Sequence, residues 1–323
     1  MEYTNLGRTG LSVSRLCLGT MNFGPMTSEA DSFAVMDKAL ELGINFIDTA
    51  NVYGQKKGEG VTEQIIGRWL AQGGRRRERI VLATKVFGTM GDWPNERALS
   101  ALHIRRACDE SLRRLQTDRI DLYQMHHVER STPWEEIWQA MEQLVQAGKV
   151  LYVGSSNFAA WNIVQANEAA KRRNFMGLVS DQSLYNLTTR AIELELLPAC
   201  RAYGVGVIPY SPVAGGALCG APKGTEKTRR TSDMIRARFE KFHDQLKKYE
   251  ALCRKIGRKP AVVALSWLLA QPGVTAPITG PRTVDQLVES TDAVKHKLDA
   301  ETLKKLDEIW PGPGNQAPEA YAW

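Results

Sequence analysis

The sequence predicts one α/β domain spanning residues 1–323, a closed (β/α)8 barrel of the TIM type, on three observations. Eight short apolar runs alternate with longer amphipathic runs. The unit recurs at spacings of roughly 25–40 residues, as parallel strands joined by helical crossovers require. None of the eight runs is followed by the G-x-G-x-x-G spacing of an open dinucleotide-binding sheet, and eight units in one chain suit a barrel.

In chain order, "YTNLGRTGLSV" (3–13) reads as two short strands joined across "GRTG", so residues 1–15 are expected to form a hairpin over one barrel end. The barrel strands are then predicted at 16–21, 44–50, 80–86, 120–126, 150–156, 178–184, 204–210 and 275–280. Each is short, apolar and not cleanly alternating, as for parallel strands covered on both faces. Helices are expected over 28–43, 62–74, 102–116, 133–149 and 160–173. Ser28 suits the first of these as an N-cap and Gly43 as its left-handed terminator. In 133–149, Trp134, Ile137, Trp138, Met141 and Leu144 recur at helical spacing, which reads as a core-facing stripe over an aromatic binding box. Helical "KPAVVALSWLLAQPG" precedes the eighth strand, and residues 299–323 read as a C-terminal helix and tail.

The insert after the seventh strand departs from a plain barrel. Residues 213–240 begin with Gly215, Gly216 and Gly220 and carry Lys223, Lys227, Arg229, Arg230, Arg236 and Arg238. Loops this long are functional covers or solvated spacers, and the position predicts a lid over the strand C-termini.

Composition narrows the function classes. Forty-two Lys and Arg against 36 Asp and Glu is a mild excess, with no polybasic tract suited to nucleic acid. The triplet Arg75–Arg77 is expected to be a solvated loop. Five scattered cysteines without a C-x-x-C pair read as reduced thiols of a cytoplasmic protein. No apolar run approaches the length of a membrane span, so neither membrane nor nucleic acid is an expected partner; oligomeric state is not readable.

In such a barrel the chemistry sits at strand C-termini. Those ends present Asp48 and Tyr53, Lys85, His126, Ser155 to Asn157, Gln182 and Tyr210. A lysine in the apolar run "LATKV" needs a partner, because a desolvated ammonium is costly alone. Asp48 on the neighbouring strand supplies one, and the charged Lys85 is expected to draw the pKa of Tyr53 below its ordinary value of about 10. The competing readings are a purely structural ion pair and a metal site at Asp48, His126 and His127. The second lacks ligand spacing and places an ammonium beside the cation, so no metal is expected.

Five segments in order, "GINFIDTANVYG", "LATKV", "IDLYQMHH", "YVGSSNF" and "PITGPRTVDQLVES", resemble those of aldo-keto reductases, and the likeness runs over practically the whole chain. The resemblance implies an NADP(H)-dependent oxidoreductase of small carbonyl compounds. Tyr53 would be the general acid, tuned by Lys85 and Asp48, with His126 orienting the carbonyl. Ser156, Asn157 and Gln182 would hold the nicotinamide carboxamide and Tyr210 would stack on its ring. Thr20, Met21 and Asp48 would line the cofactor, and Ser211 and Pro212 would follow its pyrophosphate. Gly280, Arg282, Gln286 and Glu289 would receive the 2′-phosphate and adenine. His127, Phe23 and Trp93 would line the substrate pocket; at His127 many relatives carry Arg, Asn or Trp. The N-terminal segment, "WPN" (93–95) and "PGPGNQAPEAYAW" further resemble bacterial nucleotide-sugar 2,3-enoyl reductases of deoxysugar pathways. A nonenzymatic NADP-binding regulatory subunit of the same fold is the alternative; the Asp-Tyr-Lys-His set speaks against it.

Overall fold

A computed structural model describes residues 1–220, 240 and 242–318. β1 (Tyr3–Asn5) and β2 (Ser12–Ser14) pair antiparallel. Eight parallel strands follow: β3 (Cys17–Gly19), β4 (Phe46–Asp48), β5 (Val81–Val86), β6 (Ile120–Met125), β7 (Val150–Ser156), β8 (Leu178–Gln182), β9 (Gly206–Val207) and β10 (Ile278–Thr279). Their hydrogen-bonded order is β10-β3-β4-β5-β6-β7-β8-β9. Bonds from Thr275 N–H to the Val207 carbonyl and from Ile278 N–H to the Pro209 carbonyl, both 2.8 Å, bring the last strand back to β9 and close the ring.

All eight predicted barrel strands are present. The seventh and eighth are much shorter than expected, two residues each. Pro209 and Pro277 lie inside the predicted ranges, and a residue without an N–H cannot continue a ladder.

The helices packed outside this ring are α1 (Glu29–Glu41), α2 (Val61–Ala71), α3 (Ala101–Leu115), α4 (Trp134–Gln146), α5 (Ala160–Arg172), α6 (Leu196–Ala202), α7 (His243–Lys255), α8 (Pro260–Ala270), α9 (Val284–Lys295) and α10 (Ala300–Ile309). Ser28 caps α1 by accepting the Asp31 N–H at 3.1 Å, and Gly43 follows with φ of 79°. The α4 stripe is core: Ile137, Trp138, Met141 and Leu144 are buried and Trp134 packs half-buried beside them. Among the described residues no helix is long and apolar enough to cross a membrane.

Two expectations change. The Arg75–Arg77 run is not simply solvated. Arg76 pairs with Asp37 at 3.2 Å and lies over the Trp69 ring, while Arg77 forms a mostly buried pair with Asp121 at 2.8 Å. Of residues 213–240 the structure describes 213–220 and 240; Ala214–Cys219 makes a 3-10 turn through Gly215 and Gly216, both with positive φ. The basic part of the predicted lid lies outside the described residues. So does the end of the predicted tail, which is described to residue 318. The described tail is tied back by Arg190, which donates to Asp307 at 2.6 Å and to the Trp310 carbonyl at 2.7 Å.

The hairpin closes the N-terminal end of the barrel; among the described residues the C-terminal end is the open face, where Tyr53, His126, Asn157 and Tyr210 are half-buried and His127 is exposed. Leu6 and Val13 are fully buried against Cys17, Phe46, Val81, Ala83 and Leu122 of the barrel interior. Burying side chains of this size contributes roughly 1.5–3 kcal/mol each. Arg8 donates to the Leu178 carbonyl at 3.0 Å and the Tyr203 carbonyl at 2.8 Å, and Arg15 to those of Val274, Thr275 and Leu269. Gly7 makes this close approach possible: φ is 55°, and a methyl group there would collide with backbone atoms of Val179, Gly204 and Gly206. Gly7→Ala is therefore expected to destabilise the protein by about 2–4 kcal/mol, through left-handed strain plus overpacking. A lowered urea midpoint measures this, and an unchanged midpoint would show the plug to be dispensable.

Candidate active site

The residues singled out at strand ends meet at the open face. Parallel register sets Asp48 of β4 opposite Gly19 of β3 and Ala83 of β5, and Lys85 opposite Gln124 of β6. The Lys85 ammonium, fully buried, donates to Asp48 Oδ2 at 2.6 Å, to the Thr49 carbonyl at 2.8 Å and to Tyr53 Oη at 3.1 Å. It also stands 4.7 Å from the centre of the Tyr53 ring. Three acceptors satisfy the three donors of an ammonium. Burial alone would lower the pKa of Lys85, but Asp48 and Tyr53 outweigh it and hold the amine charged above its ordinary value.

Tyr53 departs from the expectation. Its removal from water raises its pKa above 10, and the opposing pull of Lys85, itself partly cancelled by Asp48, does not compensate. The hydroxyl is therefore a protonated donor held in place by a cation. His126 lies edge-on to it, ring centroids 5.9 Å apart. Burial, then the Lys85 and His127 charges, press the His126 pKa down to about 3, so the imidazole is neutral at physiological pH.

The amide-bearing residues form a second, contiguous layer. Ser156 Oγ donates to the Gln182 carbonyl at 2.8 Å, and Asn157 Nδ2 donates to Ser156 Oγ at 2.9 Å and to the His126 carbonyl at 3.1 Å. Asn157 takes φ of 60°, a left-handed conformation asparagine tolerates, and its Oδ1 accepts from Tyr210 Oη at 2.8 Å. Gln182 Nε2 donates to Asp48 Oδ1 at 2.9 Å, which joins this layer to the ion pair. Behind it, Asp181 is buried with Ser155 Oγ donating to it at 2.7 Å, and burial lifts its pKa to about 6.

The remaining predicted residues divide. Thr20 Oγ1 donates to the Asp48 carbonyl at 2.9 Å, placing β3 against the site, while the Met21 side chain is half exposed. The Gly280 carbonyl accepts from Asn22 at 2.8 Å, and Ser211, with φ of 52°, accepts at its carbonyl from Asn186. Pro212 is buried beside it. Arg282 lies at the start of α9, where Gln286 Oε1 accepts its backbone N–H at 2.9 Å. Its guanidinium makes no hydrogen bond or ion pair among the described residues. Glu289 is engaged elsewhere, with Lys259 at 2.6 Å. His127 stacks on His126 at 5.4 Å and meets Phe87 edge-on. Phe23 is not an open pocket wall: it is fully buried in the core with Val35 and Ile65. Trp93 is 77% exposed and touches none of these groups in a ring contact. Among the described residues no cluster of three or more potential metal ligands occurs.

This order of strands, with an aspartate, tyrosine, lysine and histidine converging at one mouth, has known counterparts. Residues 15–311 match the aldo/keto reductase family. The chain belongs to that family. It is 56% identical over 330 residues to "Uncharacterized oxidoreductase YrpG" of Bacillus subtilis, covering all of both chains. It is 34% identical to versiconal hemiacetal acetate reductase of Aspergillus parasiticus, over 95% of this chain and 96% of that one. A putative voltage-gated potassium channel subunit beta of Schizosaccharomyces pombe is 35% identical over 94% of this chain and 92% of the relative. The finer resemblance to nucleotide-sugar enoyl reductases finds no support in these relatives.

One residue of this aldo/keto reductase site escaped the sequence reading. Gln124 is fully buried and donates to Asp48 Oδ1 at 2.9 Å. Its signal was present: Leu122, Gln124 and His126 share one face of an alternating strand, and an amide on the face that fills the barrel needs a polar partner.

The depressed His126 pKa makes two expectations. By NMR, the His126 imidazole should stay neutral down to about pH 4, while ordinary histidines titrate near 6.5. Because its folded pKa lies below its unfolded value, the unfolded chain binds the extra proton, so this residue's contribution to stability is lost as pH falls from 6.5 towards 3. His126→Asn should flatten that part of the stability curve. A His126 resonance titrating near pH 6.5 would contradict the buried, Lys85-facing placement.

Proposed function

We propose that this chain reduces the carbonyl group of an aldehyde or ketone with NADPH. The observation that carries the reading is the Asp48–Lys85–Tyr53 chain, in which a buried ammonium sits 3.1 Å from a protonated phenol at the open face. The donor set suits a nicotinamide nucleotide. Ser156, Asn157 and Gln182 cluster hydroxyl and amide groups whose donors bond within the protein and whose oxygens remain as acceptors for a carboxamide N–H, and the half-buried Tyr210 offers an aromatic face. At α9, a helix N-terminus and the Arg282 guanidinium, without a partner among the described residues, suit a phosphate dianion. Bound there, NADPH would supply the hydride.

The chain's own residues account for the proton and the orientation. Tyr53 Oη gives its proton to the carbonyl oxygen, and Lys85 stabilises the phenolate left behind by direct contact. Asp48 keeps Lys85 charged and in place. Neutral His126, beside Tyr53, can donate an N–H to the same oxygen without competing as an acid. Burial of Tyr53 favours its protonated form, the form that gives a proton in reduction. A relative is named a channel beta subunit, but an intact proton-donating set favours the enzymatic reading here.

Tyr53→Phe is expected to retain NADPH binding and lower kcat/KM for reduction of an activated aldehyde roughly 10²–10⁴-fold, the usual yield of general acid catalysis. Near-wild-type turnover in this variant would remove Tyr53 from the mechanism. In the wild type, reduction should decline only as pH rises past the ordinary tyrosine range, where the phenol loses the proton it must give.

Cofactor choice has its own test. NADPH should be preferred over NADH, and Arg282→Ala should weaken NADPH roughly ten- to a hundredfold while sparing NADH, since a charge-assisted hydrogen bond contributes about 1.5–3 kcal/mol. Equal kcat/KM for both cofactors in wild type and variant would place the 2′-phosphate elsewhere.

A further inference from the structure

The barrel interior holds a polar triangle beneath the proton-donating group. Asp48 Oδ1 accepts from Gln124 Nε2 and from Gln182 Nε2, both at 2.9 Å, while Asp48 Oδ2 accepts from Lys85. Gln182 Nε2 also donates to Gln124 Oε1 at 3.3 Å. All four side chains are buried, Gln124 completely.

This arrangement leaves no freedom in the polarity of the two amides. A carboxylate only accepts, so each glutamine must turn its NH2 towards Asp48. The second N–H of Gln182 is then taken by Gln124 Oε1. Both donors of Gln182 are spent inside the protein, and Oε1 is its one remaining polar atom, an acceptor. Asp48 by itself turns the Gln182 NH2 inward, and Gln124 Oε1, by taking the second N–H, opposes rotation of the amide away from that contact. Space for the long Gln124 side chain comes from Gly154 on the next strand, where a methyl group would press on Gln124 Cγ and collide with Ser180 Oγ.

We propose that Gln124 is a positioning residue for cofactor recognition: by holding the Gln182 amide in one orientation, it makes position 182 an obligatory acceptor for the N–H of the nicotinamide carboxamide. The inference rests on the cofactor reading given above and adds to it a residue that touches neither cofactor nor substrate. Through the shared Asp48 oxygen, Gln124 also ties the amide layer to the ion pair that holds Tyr53.

The test is a double-mutant cycle in direct binding. Dissociation constants for NADP+ and for its 3-acetylpyridine analogue, which lacks the carboxamide N–H, are measured by fluorescence titration on wild type, Gln124→Met, Gln182→Met and the double variant. Methionine keeps the length of glutamine and removes both polar ends. Wild type should bind NADP+ about five- to tenfold more tightly than the analogue, the yield of one hydrogen bond. Gln124→Met should lose most of that discrimination, and the double variant should bind no worse than Gln182→Met alone. Strictly additive effects, with the discrimination intact in Gln124→Met, would show Gln124 to be packing only and overturn the proposal. Absence of any NADP+ binding by wild type would sink the cofactor reading instead, so the two failures are distinct. Should Gln124→Met not fold, Gln124→Glu serves. Its carboxyl oxygen still accepts from Gln182 in either protonation state, so the preference for NADP+ over the analogue should be retained. Loss of that preference in Gln124→Glu would overturn the proposal.

Discussion

The contact between Lys85 and Asp48 is the constraint around which the open face is organised. An ammonium with no exposure to solvent is tolerable only when every donor is matched and an opposite charge is adjacent. Meeting that demand fixes the ends of β4 and β5, the turn that carries Tyr53, and the side-chain amides that complete the coordination of Asp48. Breaking such a pair from one side typically costs about 3–5 kcal/mol, because the remaining charge is left buried. What holds the fold at this point also produces its chemistry: a fixed cation beside a hydroxyl that keeps its proton.

The rest of the barrel supports this arrangement by making its two ends unequal. Leu6 and Val13 fill the N-terminal end, and Arg8 and Arg15 lash the hairpin to backbone carbonyls there. The Asp48, Lys85 and Tyr53 side chains gather at the other end, where the strands finish. Behind the strands the same economy recurs. Glu63, wholly buried on α2, accepts from Thr84, the neighbour of Lys85, and from Arg114 at 2.7 Å. Asp181 collects Ser155 and Ser183 next to Gln182. The strand ends that carry Lys85 and Gln182 are thus held by hydrogen-bonded neighbours from outside the ring as well as from within.

Much of this was legible in the chain. Hydrophobic runs and their spacing identified all eight barrel strands and the hairpin, and a lysine in an apolar strand pointed to Asp48 as its partner. The lengths of β9 and β10 were overestimated because apolar character persists through Pro209 and Pro277, whose missing N–H interrupts the ladder although their carbonyls still accept. Gln124 was passed over because an amide in a strand has no distinctive spacing, and its importance lies wholly in what it faces. The family resemblance placed Phe23 in the substrate pocket, but it is fully buried in the core cluster that includes Val35 of α1 and Ile65 of α2.

The order of strands and helices, the identity of the charged groups and their place at strand C-termini follow from the sequence, because periodicity and the cost of burying an isolated charge are local properties of a chain. The balance of charge at Tyr53 does not. Burial raises its pKa and Lys85 lowers it, and which prevails depends on how much water the folded site excludes. The same holds for the amide polarity of Gln182, set by Asp48 and Gln124 from strands 134 and 58 residues away. Residue types declare which groups can interact; only their three-dimensional distances and shared burial decide the winner.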